Sequence, residues 1–300
     1  MAKEAPIEYF DRYAEMIRIE RVYGESWLRW VYGNSLGRMT LWALLCRPFF
    51  SKWYGRRMLS SKSRSRIKPF IRDYDVDAGE FADSVSTYDS FNDFFIRKLK
   101  PSSRPISPDE NTAVFSADGR HLGFDDISSL DAVFAKGQSF NLPQLFGSRE
   151  AALPFEGGTV VISRLCPMDY HRFHFPVAGE ASSPILINGC LKSVNPIALR
   201  RYFSILWENK RYLSFMESER FGRVACFEIG ATCVGSVQYG HSFPVRVRKG
   251  EEKGWFSFGG SMILTFFEKG RIRLADDLLA HSAKGRELYA KMGDAMGRID

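Results

Sequence analysis

"WFSFGGSMILTFFEKG", residues 255–270, reads as buried strand on either side of its centre. Trp255, Phe256 and Phe258 precede that centre, and Ile263, Leu264, Phe266 and Phe267 follow it. Between them stands Gly259-Gly260-Ser261. Glycine inside a strand costs backbone entropy and adds no packing, so it marks a bulge or a close approach of backbone. A small hydroxyl follows at once, which places a potential nucleophile beside the most deformable peptide of an apolar run.

Working outward, the body from about residue 110 is a series of short β-rich runs punctuated by glycine turns: "TAVFSADGRH", "GTVVISRL", "GRVACFEIGATCVGSVQYG" and "FPVRVRKG" lead up to the quoted stretch. That spacing predicts an antiparallel or mixed β domain and argues against alternating βαβ units. Helices are expected after Asn195 and in an amphipathic carboxyl-terminal tail. Residues 88–106 predict a short helix and a Ser/Pro linker into the β body. The expected fold class is therefore α+β, with a helical segment over 1–87 and a β-rich catalytic domain over 88–300.

The chain has 300 residues and five cysteines, Cys46, Cys166, Cys190, Cys226 and Cys233, with no CxxC pair. An odd number of scattered thiols suits a reducing compartment better than a disulfide framework. No signal peptide is expected, because residues 1–20 are charged throughout. The charge is unevenly placed: residues 1–70 hold 14 Lys+Arg against 6 Asp+Glu, a net of +8, while the remainder holds 28 against 29. This basic segment also carries Trp27, Trp30, Trp42 and Trp53, four of the six tryptophans. Two helices are expected there, over 8–32 and 35–47, with Ser35 as a cap and Pro48 as a stop. The longest apolar run, Leu41 to Cys46, is far short of the roughly 20 residues that span a bilayer. An amphipathic pair with Trp and Leu on one side and Arg on the other suits an anionic membrane surface. The bland alternative is that the aromatics pack on the protein's own body. Nucleic acid is not expected as a partner, since no binding motif accompanies the charge.

Three stretches carry candidate chemistry. "FSADGRH" holds Asp118, "CPMDYHRFHFP" holds His171 and His174, and the opening stretch holds Ser261. Singly, Asp118-Gly119 reads as a turn and Ser261 as a bulge residue. His-x-x-His with Cys166 or His121 could ligate a metal, but no second pair of ligands appears, and no metal is expected. Together, Asp, His and Ser make a nucleophile, base and orienter set. Ser261 is not in a G-x-S-x-G elbow. Its nearest electrophile is its own preceding peptide bond, which glycines at 259 and 260 free to adopt a strained conformation.

Along nearly its whole length the chain resembles the phosphatidylserine decarboxylase proenzymes. The resemblance rests on "FNDFFIRKLKPSSRPI", "FSADG", "MDYHRFHFPVAG", "LKSVNPIAL", "FEIGATCVGSV" and "FGGSMILTFFEKG", in that order, and extends to "RVYGESWLRWVYGNSLGR" and "SRSRIKPFI". It implies cleavage between Gly260 and Ser261 by an N-to-O acyl shift. Elimination then releases a β chain ending at 260 and leaves a dehydroalanine from Ser261, which takes up water and loses ammonia to become the pyruvoyl group of an α chain of 261–300. It implies that His174 acts as base with Asp118 orienting its ring, and that His171 returns a proton after CO₂ leaves. The implied partners are phosphatidylserine in an anionic membrane, the paired α and β chains, and a second copy in a homodimer. The implied location is peripheral, on the cytoplasmic face of the cell membrane if the source is bacterial. One departure stands out: Met262 occupies a position where the family usually has Thr or Ser. The rival readings are a catalytically inactive lipid-binding scaffold, a decarboxylase of a small soluble substrate, and a serine lipid hydrolase.

Overall fold

The two halves of the 255–270 stretch belong to different sheets. In the computed structural model, which describes residues 6–40, 48–130, 140–231, 237–259 and 261–299, the Glu252–Phe256 strand lies in a three-stranded sheet between Val237–Tyr239 and Arg172–His174. The Ser261–Phe267 strand lies in the middle of an eleven-stranded sheet, antiparallel to Gly222–Ile229 on one side and Thr159–Leu165 on the other. The chain crosses between sheets at the glycines, and Gly259 sits at φ 138°, a conformation that L side chains rarely adopt. Gly260 lies outside the described residues.

Every residue of Ser261–Phe267 is buried, and so is every residue of Thr159–Leu165. The period-2 alternation of a strand divides the side chains between two faces. Met262, Leu264 and Phe266 enter a core covered by helices, among them Leu28, Val31 and Tyr32 of the Glu25–Gly33 helix. Ile263 enters a second cluster with Ala117, Leu165, Phe173, Val237 and Phe256, where the three-stranded sheet packs on the opposite face. The result is a layered α+β body of helices, large sheet and small sheet. Each fully buried Leu, Ile or Phe contributes about 1.5–3 kcal/mol. Four such side chains, two ladders of hydrogen bonds and burial on both faces hold Ser261–Phe267 in place whether or not residue 261 stays bonded to residue 260.

The amino terminus differs from the helical expectation. Residues 8–19 form a hairpin, Glu8–Asp11 and Met16–Ile19, and not the start of a helix. Glu8–Asp11 runs parallel to Glu287–Ala290 and extends the large sheet, so its backbone groups are satisfied by a ladder that local propensity does not reveal. The Asp11 carboxylate accepts from the Tyr13 and Ala14 amides and turns the chain. Helices follow over Glu25–Gly33 and Ser35–Thr40. The remainder of the expected 35–47 helix, with Trp42, lies outside the described residues. Pro48 is the first residue of the Pro48–Leu59 helix, where its missing N–H loses nothing. The tail also differs, since after the Asp276–Ser282 helix it returns as two strands, Glu287–Ala290 and Ala295–Arg298. The expected elements after Asn195 and over 88–106 are present as short turns of helix, Pro196–Leu199, Ile205–Glu208 and Phe91–Phe95. Among the described residues no helix is long and apolar enough to cross a membrane.

Candidate active site

Ser261 opens the central strand opposite Leu165 and is fully buried, and its Oγ has no hydrogen-bond partner among the described residues. Buried hydroxyls are rarely left unpaired, so such an atom asks for a role. His171 is in the same condition. Its ring is fully buried, meets Phe95 edge-on at 3.8 Å between centroids, and leaves both nitrogens without partners among the described residues. Its carbonyl accepts from the Phe256 amide at 3.0 Å, which ties it to the segment leading into the glycines. Burial, followed by the charge of Arg97, drives the His171 ring well below its ordinary pKa, so it is neutral near pH 7.

His174 is held by backbone. Its amide donates to the Ser116 carbonyl at 2.7 Å, and its Nδ1 lies 3.0 Å from the Gly250 carbonyl. A carbonyl only accepts, so Nδ1 carries the proton and Nε2 presents a lone pair. That Nε2 is buried and has no partner among the described residues. Burial again lowers the pKa, and the Gly250 bond and then the charges of Glu252 and Asp118 offset part of the drop. The arrangement is that of a general base: neutral, in a fixed tautomer, with its free nitrogen out of water.

Asp118 does not hold the His174 ring as the sequence led us to expect. Its carboxylate is bound by Arg104, with Nε 2.9 Å from both oxygens and Nη2 2.5 Å from Oδ2, and it also accepts from the Met292 amide at 2.9 Å. A guanidinium fork matches a carboxylate with two charge-assisted bonds, which a neutral imidazole cannot displace. Burial alone would lower the Arg104 pKa, but the bonds and charges of Asp118 and then Glu80 outweigh it and keep the group protonated. Asp118 therefore reaches His174 through its field and not through a hydrogen bond. Arg104 was missed because a lone Arg in "KPSSRPI" reads as a solvated linker residue; only the fold shows it to be buried. His121, weighed as a metal ligand, lies elsewhere, between Ser163 Oγ and the Ala290 carbonyl, with burial pushing its pKa down to about 3.

A cavity of about 420 Å³ reaches Leu165, the residue opposite Ser261. Gly259, Leu165 and Cys166 line its inner end, Glu20 and Arg164 line its wall, and Trp27 and Trp53 stand at its rim. Trp27 is 44% and Trp53 48% exposed. Arg164 Nη2 binds Glu20 Oε2 at 2.5 Å, an ion pair that ties the amino-terminal segment to the strand beside Ser261. Met262 points to the opposite face of the large sheet from Ser261 and Ile263, a face it shares with Arg164. It is 1% exposed in the helix-covered core, so a hydroxyl there would meet apolar neighbours on the opposite side of the sheet from the histidines.

The profile of the family described as phosphatidylserine decarboxylase matches residues 91–298. The chain belongs to the phosphatidylserine decarboxylase family. It is 41% identical over 291 residues to a phosphatidylserine decarboxylase proenzyme of Fusobacterium nucleatum, covering 97% of both chains. It is 40% identical to one of Clostridium novyi and 38% identical to one of Desulfitobacterium hafniense, with 97% of this chain aligned in each case and 99% and 98% of theirs. The alignments to these relatives cover more of the chain than the family profile and so take in the aromatic segment as well as the site.

Proposed function

We propose that this chain cuts itself between Gly260 and Ser261 and that the cut protein converts phosphatidylserine to phosphatidylethanolamine and CO₂. The observation that carries the reading is a set of buried atoms with no partner among the described residues: Ser261 Oγ at the start of the central strand, and His174 Nε2 and both nitrogens of His171 on the small-sheet side. Three buried polar side chains left unsatisfied are costly unless they serve a reaction.

His174 Nε2 takes the proton from Ser261 Oγ, and the Oγ attacks the carbonyl carbon of residue 260. The proton passes to the Ser261 nitrogen as the peptide C–N bond breaks, which exchanges an amide for an ester. The Gly250 carbonyl holds Nδ1–H throughout, and the Asp118 charge favours the imidazolium while it exists. Ser261 fits as the source of a pyruvoyl group because its strand is anchored from both sides and its Oγ has no hydrogen-bond partner among the described residues. That group supplies an electron sink for the loss of CO₂ from an amine-bearing substrate. His171 is neutral, with one N–H and one lone pair, and returns a proton to the substrate carbon that lost its carboxylate.

The cavity receives the headgroup. Exposed Trp27, Trp30 and Trp53, with Leu36, Met39 and Leu59, present apolar surface within the segment of net +8, a combination that suits peripheral docking on an anionic leaflet. Free thiols at Cys166, Cys190 and Cys226 suit a reducing compartment, and so the cytoplasmic face. The test is intact-mass spectrometry on the purified protein beside Ser261→Ala. Two chains divided after Gly260, the smaller blocked to amino-terminal sequencing, with the variant uncut, is the expected result. A single full-length species in both samples would sink the reading.

A further inference from the structure

The groups that must meet in self-cleavage ride on different sheets. His174 ends the Arg172–His174 strand of the small sheet with His171 just before it, whereas Ser261 begins the central strand of the large one. The interface between the two sheets is apolar, built from Phe173, Val237 and Phe256 over Leu165 and Ile263. Apolar attraction has no direction, so packing of this kind resists separation better than it resists sliding.

A buried polar group crosses the same interface. Lys253 is 1% exposed, and its Nζ donates to Glu228 Oε1 and to Ser214 Oγ, both at 2.6 Å, on the large sheet. Tyr239, from the third strand of the small sheet, donates its hydroxyl to Glu228 Oε2 at 2.8 Å. Glu228 thus takes a donor on each oxygen from two small-sheet strands. Its own position is opposite Ile263, two residues along from Ser261. Lys253 is equally well placed, because the residue before it, Glu252, lies opposite His174. The pairing register shifts between Glu252 and Gly254, so Lys253 is the extra residue of a bulge, a device that re-aims a side chain.

A buried ion pair is a weak source of stability, because desolvation offsets its attraction; its best-attested use is to fix register. From these placements we infer that Lys253, Glu228 and Tyr239 are positioning residues that lock the histidine-bearing sheet in register over Ser261. The inference rests on the self-cleavage reading above. The lock acts through His171 and His174 and touches neither the scissile bond nor the headgroup cavity.

The test uses the full chain carrying Lys253→Met with Glu228→Gln, which removes both charges together and leaves no buried ion alone. Thermal midpoints are taken on a Ser261→Ala background, so that every sample is uncut, and cleavage is followed by intact mass over time. We expect a midpoint within a few degrees of the parent and cleavage slowed at least about tenfold, since a displacement of about 1 Å can cost about a hundredfold in rate. In the matured protein kcat for phosphatidylserine falls by a similar factor while KM stays within about twofold, because none of the three residues lines the cavity. A folded double variant that cuts at the wild-type rate overturns the lock. If the double variant does not fold or loses its midpoint, Tyr239→Phe decides: slowed cleavage at an unchanged midpoint supports the lock, and wild-type cleavage overturns it. A wild-type chain that never cuts would instead refute the self-cleavage reading and take this inference with it, so the two failures are told apart.

Discussion

Asp118→Asn separates two ways in which a carboxylate can serve His174. In a Ser-His-Asp triad the carboxylate bonds the ring and fixes its tautomer, and its amide replacement costs about 10⁴-fold in rate. Here the Gly250 carbonyl fixes the tautomer, and Asp118 is engaged by Arg104 and the Met292 amide. The asparagine would leave the tautomer intact and remove only the field that favours the imidazolium, so cleavage should slow by roughly 10–100-fold and not by about 10⁴. The larger effect falls on stability. Arg104 is buried, with a side chain 6% exposed, and it loses its closest counter-charge while keeping Glu80, which is 24% exposed. Breaking a buried pair from one side costs about 3–5 kcal/mol. Because Glu80 remains and the amide oxygen can still accept from Met292, we expect about 3 kcal/mol, at the low end. Cleavage is read by intact mass over hours. Stability is read by denaturant titration of Asp118→Asn on the Ser261→Ala background, against Ser261→Ala alone. A loss near 10⁴ in cleavage with unchanged stability would refute the reasoning and return Asp118 to the ring of His174.

The pH dependence of cleavage follows from the neutral bases. Burial lowers the His174 pKa below its ordinary 6.5, so the rate should be level near neutrality and fall only on the acid side of pH 6.5 as Nε2 takes a proton. A rate already halved above pH 7 would contradict this. Stability has the same sign, because His121, His171 and His174 are neutral when folded and bind protons more readily when unfolded. It should be full above pH 6.5 and decline as the pH drops through that value, as measured by urea titration across pH. Met262→Thr should leave the cleavage rate unchanged and cost about 1–3 kcal/mol, since it puts a hydroxyl in an apolar core; slower or faster cleavage would show that residue 262 reaches the site after all. Trp27→Ala and Trp53→Ala should each weaken sedimentation with anionic vesicles roughly tenfold or more, on the basis of about 1.5–3 kcal/mol of apolar burial per side chain, while leaving self-cleavage untouched. Vesicle binding that survives the double substitution would move the docking face elsewhere.

What the sequence determined by itself was chemical identity and local form. The Gly-Gly-Ser break between apolar runs, the paired histidines and the ordered motifs were enough to name Ser261, His171 and His174 as candidates, and the apolar run after the glycines was enough to make Ser261–Phe267 a buried strand. Such features are local: they follow from residue type and spacing within ten or so positions. Partnership was decided only by the tertiary structure. Nothing local distinguishes an Asp118 that holds an imidazole from one that a guanidinium has claimed, and the claim by Arg104 depends on a loop fourteen residues away folding back beneath the strand. Residues 8–19 look helical by composition, yet they pair with the edge presented by Glu287–Ala290, an acceptor at the far end of the chain. Lys253 looks like one more surface charge until a bulge turns it toward Glu228. Hydrogen bonds and ion pairs between distant segments are chosen by which groups the fold strips of water together, and that choice is made by the assembled layers and not by any one of them.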